Sequence, residues 1–385
     1  MPASDAALTH ARALIAQIPL FDAHNDMPWE IRARHGSDVA AARLTEDRPG
    51  RDTDIAKLLA GGVAAQFWAA FIPTDVPHPL RTALEQIELI HRFTEAHADV
   101  FLPARSPDDV ARAKAEGRIA SFIAVEGGVA LEESLEILSI FHRLGVRYMT
   151  LCHNETLAWI DSTTDVSRHG GLTEFGRRVI AEMNRLGLMV DLSHTSHDAM
   201  RAVLDISEAP VVFTHCNAYG LCRHPRNVPD DVLARIPANG GIVMATFVPD
   251  FISQRALDWA RPLRDDFGKA RHGLEFRSAV AAVAAEKGPK PAVTIPELAD
   301  HIDYMTARVG IDHIGIGSDF YGGPTLEGLE DVSRFAYLIA ELVHRGWSDD
   351  ALAKLMSGNF VRVFRQVESV AGRLKGLRKP AVGRL

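Results

Sequence analysis

Four apolar runs of this chain end on residues able to hold a metal ion. PLFDAHND carries His24 and Asp26, FIAVEGG carries Glu126, LMVDLSH carries His194, and VVFTHC carries His215. Imidazole nitrogen is a good ligand for zinc and its first-row neighbours, and carboxylates join it readily. Residues two apart in a strand share a face, so Asp22, His24 and Asp26 point together if extended geometry persists. An isolated HxD triplet or a single strand-end histidine is ordinary; recurrence at four strand ends is what assembles a site. Glu126 precedes Gly127 and Gly128, where the backbone can turn sharply, and its two oxygens can bridge two ions. Metals held about 3.5–4 Å apart lower the pKa of a shared water, which is the chemistry of a metal-dependent hydrolase.

Such residues must be carried by elements whose ends converge. Short apolar runs alternate with longer helical patterns, the signature of a parallel α/β architecture. Strands are expected at 20–24, 64–71, 120–126, 147–151, 188–192, 211–215, 242–247 and 314–319. Ser106, followed by Pro107, Asp108 and Asp109, predicts a helix start, and that helix stops near Gly117. Helices at 131–144 and 173–186 are expected to end at Gly145 and Gly187. Polar residues at six or more strand ends favour a closed (β/α)8 barrel over an open sheet, because only closure brings every end to one face. We expect one domain over residues 1–385, with excursions near 25–53 and 253–293 and a C-terminal tail near 366–385.

The blocks DAHNDMPW, IAVEGG, MTLCHNE, VDLSH, FTHCNAYGLCRHPRNVPDD and IGIGSDF occur in one order along nearly the whole chain. In them the sequence resembles the renal (membrane) dipeptidase family of the amidohydrolase superfamily. That resemblance implies a (β/α)8 barrel with a binuclear zinc centre that hydrolyses dipeptides. It implies that His24 and Asp26 hold one metal, that His194 and His215 hold the second, and that Glu126 bridges them. It also implies that His153 stabilises the developing oxyanion and that Arg226 binds the substrate carboxylate. One imidazole N–H can face a developing negative charge, and a planar guanidinium can grip a carboxylate through two parallel bonds. Taken without the family, His153 is an ordinary loop histidine and Arg226 a loop arginine paired with Asp230 or Asp231.

Asp319, in IGIGSDF, is the candidate general acid and base, since the last barrel strand adjoins the first and brings it beside His24. Many relatives place a second aspartate where this chain has Tyr321, which removes a charge near the pocket rim. Cys216 stands where serine is common, and a thiol beside zinc would invite oxidation. Trp29 and Trp68 are expected in core or rim packing, Gln66 has no assigned role, and His197 is expected to begin a helix. Members of the family accept a D-residue at the carboxyl end, so L–L and L–D dipeptides are the expected substrates. The alternatives are cleavage of N-acyl amino acids or lactones at the same metals, and a catalytically silent barrel used for binding. The donor set suits two Zn2+ and admits manganese, cobalt or iron.

Composition narrows the partners. A formal charge of −8 and an isoelectric point near 6.1 lack the concentrated basic surface that nucleic acid requires. The exception is the tail around Arg373, Lys375, Arg378 and Lys379, expected to be solvated and frayed. No stretch approaches the roughly 20 apolar residues that span a bilayer, and the first residues carry no positive segment ahead of a long apolar core. A cytoplasmic protein with no membrane partner is therefore expected. Cys152, Cys216 and Cys222 show neither CxxC spacing nor the density of a disulfide scaffold and are expected to be free thiols. The family resemblance implies a homodimer, though no residue pattern marks its interface.

Overall fold

The structure is a computed structural model describing residues 4–73, 75–265, 281–285 and 287–385. Its centre is a parallel barrel built from β1 (Leu20–Asn25), β2 (Val63–Phe71), β4 (Ile119–Glu126), β5 (Val146–Thr150), β6 (Met189–Asp191), β7 (Val211–Phe213), β8 (Ile242–Ala245) and β9 (Ile314–Ile316), paired in that order. A further strand, β3 (Phe101–Pro103), lies off this path and pairs with β4. Only three residues long, it has no periodicity for a sequence reading to detect. The barrel closes just beyond the strands. Asn25 bridges Phe320, the Asp26 N–H donates to the Phe320 carbonyl at 3.0 Å, and the Asp319 N–H donates to the His24 carbonyl at 3.2 Å.

The eight barrel strands are buried along their whole length. Their near-continuous apolar runs follow from having the barrel interior on one face and helices on the other. Phe21, Phe67 and Phe122 stack on adjacent strands with centroids 4.9–5.8 Å apart, and Phe360 meets Phe21 edge-on at 4.8 Å. Phe360 belongs to the C-terminal helix Asn359–Leu377, so that helix helps fill the barrel beneath the site residues.

Several strands stop short of the expected ends. Asp319 at φ 65° and His194 at φ 69° have left-handed backbone, which breaks extended pairing. His194 therefore lies three residues beyond β6 and Asp319 three beyond β9; His215 lies two beyond β7. On β1 the register against β2 shifts between Asp22 and Asn25, so the pairing is irregular where the site residues begin. Asp22 accepts from Ser318 through its backbone N–H at 2.8 Å and its hydroxyl at 2.7 Å.

Helix Glu174–Leu186 starts on the Thr173 cap and ends at Gly187, φ 86°, as its sequence signals require. The helix expected from 131 begins only at Glu136, after a 3-10 turn at Gly128–Leu131, because Glu132 and Glu133 take left-handed backbone. At the helix Asp108–Ala115 the expected cap is reversed: the Asp109 carboxylate accepts from the Arg105 and Ser106 N–H groups at 2.7 and 2.9 Å. The 25–53 excursion contains the helix Met27–His35 and a short helix Val39–Ala42. The 253–293 excursion opens with the helix Gln254–Asp265, and its stretch 266–280 lies outside the described residues.

The C-terminal tail is not frayed. Its helix runs to Leu377 with Ala371 and Leu374 buried. Beyond it the Arg178 guanidinium donates to the Val382 carbonyl at 2.7 Å, and the Leu135 N–H donates to the Gly383 carbonyl at 3.2 Å. Arg378 pairs with Glu208. All three cysteines are free and buried. Among the described residues, no helix is long and apolar enough to cross a membrane.

Candidate metal centre

Parallel register sets the level of the site. Phe71, Glu126, Thr150, Asp191 and Val212 are successive partners across β2, β4, β5, β6 and β7. Glu126, the last residue of β4, therefore stands level with the ends of its neighbours, and the loops that follow them fold over it. Its Oε2 lies 3.3 Å from His24 Nε2, while Oε1 lies 3.1 Å from His194 Nε2 and 3.4 Å from His215 Nε2. One carboxylate thus faces two separate sets of histidine nitrogens. Asp26 Oδ2 and Asp319 Oδ1 lie 3.6 and 3.9 Å from His24 Nε2.

The supporting bonds determine which ring nitrogens are left bare. Tyr148 donates its hydroxyl to the Ala23 carbonyl at 3.0 Å, so at 2.7 Å from His24 Nδ1 it is placed to accept that ring's proton. Thr214 donates to Asp191 at 2.7 Å and accepts from His215 Nδ1 at 2.9 Å. Asp191 is held in turn by the Thr150 hydroxyl at 2.6 Å and the Ser193 hydroxyl at 2.9 Å. Both rings thereby turn Nε2 to the centre, the usual arrangement for a metal-ligating histidine. Tyr148, Thr214 and Asp191 were not singled out in the sequence. A hydroxyl beside His215, and an aspartate three residues before His194, are signals visible only once the ligands are known.

Burial makes this an electrostatically incomplete cluster. Burial raises the carboxyl of Asp319 to about 8, and repulsion from Asp26 and Glu126 adds to it against the pull of His24 and Arg226. Burial and Glu126 likewise raise Asp26 to about 6. For Glu126 burial works in the same direction, but His24 and the bonds to His194, His215 and His24 outweigh it and hold the carboxyl well below its ordinary range. His24 Nε2 and Asp26 Oδ1 are buried with no hydrogen-bond partner. Three acidic groups and clustered imidazole nitrogens, all buried, fit divalent cations, which would supply the missing positive charge. Among the described residues, three sets have ligand atoms close enough to share an ion: His24, Glu126 and His215; Glu126, His153 and His194; His24, Asp26 and Asp319.

His153 lies three residues past β5, its ring 4.1 Å from that of His194 and 4.7 Å from that of Phe71. It is thus close enough to Glu126 and His194 to join a metal as well as to face a substrate. Arg226 is 3% exposed, and its Nε and Nη2 have no hydrogen-bond partner. It pairs with neither Asp230 nor Asp231, which are engaged by Tyr304 and Arg308 and by Arg201. Its charge acts on His194, His215 and Asp319, which sets the guanidinium near the centre.

Other candidates fall outside the centre. Trp68 is core, bonded to Ser121, whereas half-buried Trp29 meets Phe71 edge-on at 5.2 Å. Gln66 gives its amide N–H groups to the Asp22 and Phe67 carbonyls. His197 starts the helix His197–Ile206 and contacts the Pro225 and Asn227 carbonyls at 3.0 and 3.1 Å. Burial pushes the Cys216 thiol up to about 11, against easy oxidation. Tyr321 turns its hydroxyl to the Thr53 carbonyl at 3.2 Å.

A closed parallel barrel whose loops gather histidines and carboxylates at one end defines a metal-dependent hydrolase. The family model for membrane dipeptidase, peptidase family M19, matches residues 8–377. The dipeptidase verJ of Clonostachys rogersoniana is 36% identical over 96% of this chain and 89% of its own. The probable dipeptidase PvdM of Pseudomonas aeruginosa superposes with a TM-score of 0.81 at 26% identity, covering 95% of this chain and 99% of that one. A metallopeptidase of Rhodobacter sphaeroides, solved with a phosphinate mimic of L-Ala-D-Ala, gives 0.73 at 25% identity over 91% and 99%. The chain belongs to the membrane dipeptidase family and is a metallo-dipeptidase.

Proposed function

We propose that this chain hydrolyses L–L and L–D dipeptides at a binuclear centre of two Zn2+ or related first-row ions. His24 and Asp26 would hold one ion and His194 and His215 the other, with the Glu126 carboxylate available to both. The metals contribute Lewis-acid polarisation of the peptide carbonyl and a more acidic water. Arg226 grips the terminal carboxylate of the substrate and orients the scissile bond, and His153 directs an N–H toward the carbonyl oxygen as negative charge develops there. Asp319 takes the proton of the attacking water and delivers it to the departing amine.

The observation that carries this reading is Arg226: a buried guanidinium with two nitrogens lacking a hydrogen-bond partner, near enough to the carboxylate and imidazole cluster for its charge to act on His194, His215 and Asp319. A buried cation left this way is costly unless an anionic group completes it, and a dipeptide brings one. Selection through that carboxylate says little about the configuration of the residue bearing it. The L-Ala-D-Ala mimic on the Rhodobacter sphaeroides relative supports the same breadth here.

The test is turnover of L–L, L–D and N-acetylated dipeptides by zinc-loaded protein, beside a chelated control and Asp319→Asn. We expect chelator-sensitive cleavage of free dipeptides, and a loss on the order of a hundredfold or more in the variant with metal content unchanged. Cleavage confined to acylated substrates would move the chain to N-acyl amino acid hydrolysis. Near-normal turnover in Asp319→Asn would remove that residue from proton transfer.

A further inference from the structure

The loop after β9 holds Asp319 in a turn with little slack. Asp319 and Tyr321 both have left-handed backbone, at φ 65° and 70°. Non-glycine residues keep such conformations only where their surroundings enforce them. Here the Asp319 N–H donates to the His24 carbonyl at 3.2 Å, and the Gly322 N–H closes back on the Asp319 carbonyl at 3.0 Å. From the other side, the Tyr321 N–H donates to Asp52 Oδ2 at 3.0 Å. The Asp52 carbonyl accepts from the Val332 N–H at 2.9 Å, and Thr53 Oγ1 accepts from Asn25 at 2.8 Å. The turn is thus tied both to the end of β1 and to residues 52–53 of the excursion.

Gly322 lies inside this turn without left-handed backbone of its own, so conformational freedom does not explain the glycine. Space does. A β-carbon there would lie 2.0 Å from Asp319 Oδ1, 2.7 Å from Asp319 Cγ and 3.0 Å from Asp26 Oδ2. These atoms belong to the movable ends of two carboxylates rather than to backbone. The fold can absorb a methyl group by swinging Asp319 aside, but the position of the carboxylate cannot survive it.

We propose that Gly322 is a positioning residue, whose missing side chain leaves the space in which Asp319 holds its carboxylate, and that the Asp52–Tyr321 bond fixes the turn around that space. The inference rests on Asp319 being the proton-transfer group. In the metal-loaded full chain, Gly322→Ala should lower kcat on the order of tenfold to a hundredfold, as small misplacements of a reacting group do. KM, metal content and thermal midpoint should stay near those of the parent. Asp52→Asn keeps an oxygen for the Tyr321 N–H and should retain more kcat than Asp52→Ala.

Unchanged kcat in Gly322→Ala beside an inactive Asp319→Asn would overturn the proposal while sparing the proposed function. Activity lost in step with metal would overturn it differently, assigning the space to Asp26. An active Asp319→Asn would remove both the proton-transfer role and the need to position it. Equal activity of Asp52→Asn and Asp52→Ala would remove the clamp.

Discussion

At the scale of single residues, the side chains behind the ligands matter as much as the ligands. Tyr148 reaches His24 Nδ1 at 2.7 Å while donating to the Ala23 carbonyl, and so sets which ring nitrogen is bare. Tyr148→Phe should weaken metal affinity about tenfold to a hundredfold, the usual effect of removing an outer partner of a ligating histidine. Competition against a graded chelator would measure this; unchanged affinity would mean that the ring is oriented by packing alone. His24, Asp26, Glu126, His194 and His215 were legible in the sequence because each closes an apolar run. Tyr148 was not, since a tyrosine within a strand looks the same whether it fills space or orients a ligand 124 positions away.

At the scale of elements, the C-terminal helix was the least legible. The basic residues Arg373, Lys375, Arg378 and Lys379 are solvated as expected, but the helix begins further back and buries Phe360, Val363, Phe364 and Val367 in the cluster beneath the site. Phe360 is 1% exposed and packs edge-on against Phe21 and Phe67. Phe360→Ala should destabilise the fold by about 3–5 kcal/mol through lost burial and the cavity left behind. Denaturant unfolding would report that loss, with KM of the remaining folded protein unchanged. A change below about 1 kcal/mol would indicate that the barrel interior collapses around the gap.

At the scale of the whole molecule, His301 connects distant segments and makes stability depend on pH. Its Nδ1 accepts from the Ala218 N–H at 3.1 Å, and its Nε2 donates to the Ile252 carbonyl at 2.8 Å. Burial holds its pKa down to about 4, below the ordinary 6.5. The unfolded chain takes up a proton as pH falls through 6.5, whereas the folded chain resists until about 4. This contribution is therefore fully present above pH 6.5 and declines as pH falls toward 4, by roughly 3 kcal/mol in all. Unfolding free energies at pH 7 and pH 5 should differ more in the parent than in His301→Gln. Equal pH dependence in the two would exclude His301 as a source.

The sequence by itself determined the barrel, because fully buried parallel strands must be written as apolar runs and helix ends need caps and glycines. It also supplied the candidate ligands, since those runs end on imidazoles and carboxylates. Tertiary structure alone decided that His194 and Asp319 lie beyond their strands, because left-handed turns at these residues leave no periodic signal. It alone left Arg226 unpaired by directing Asp230 and Asp231 to other partners, and it alone set the clearance at Gly322. Pattern along a chain records which face is buried; it does not record distances between residues brought together only when the barrel closes.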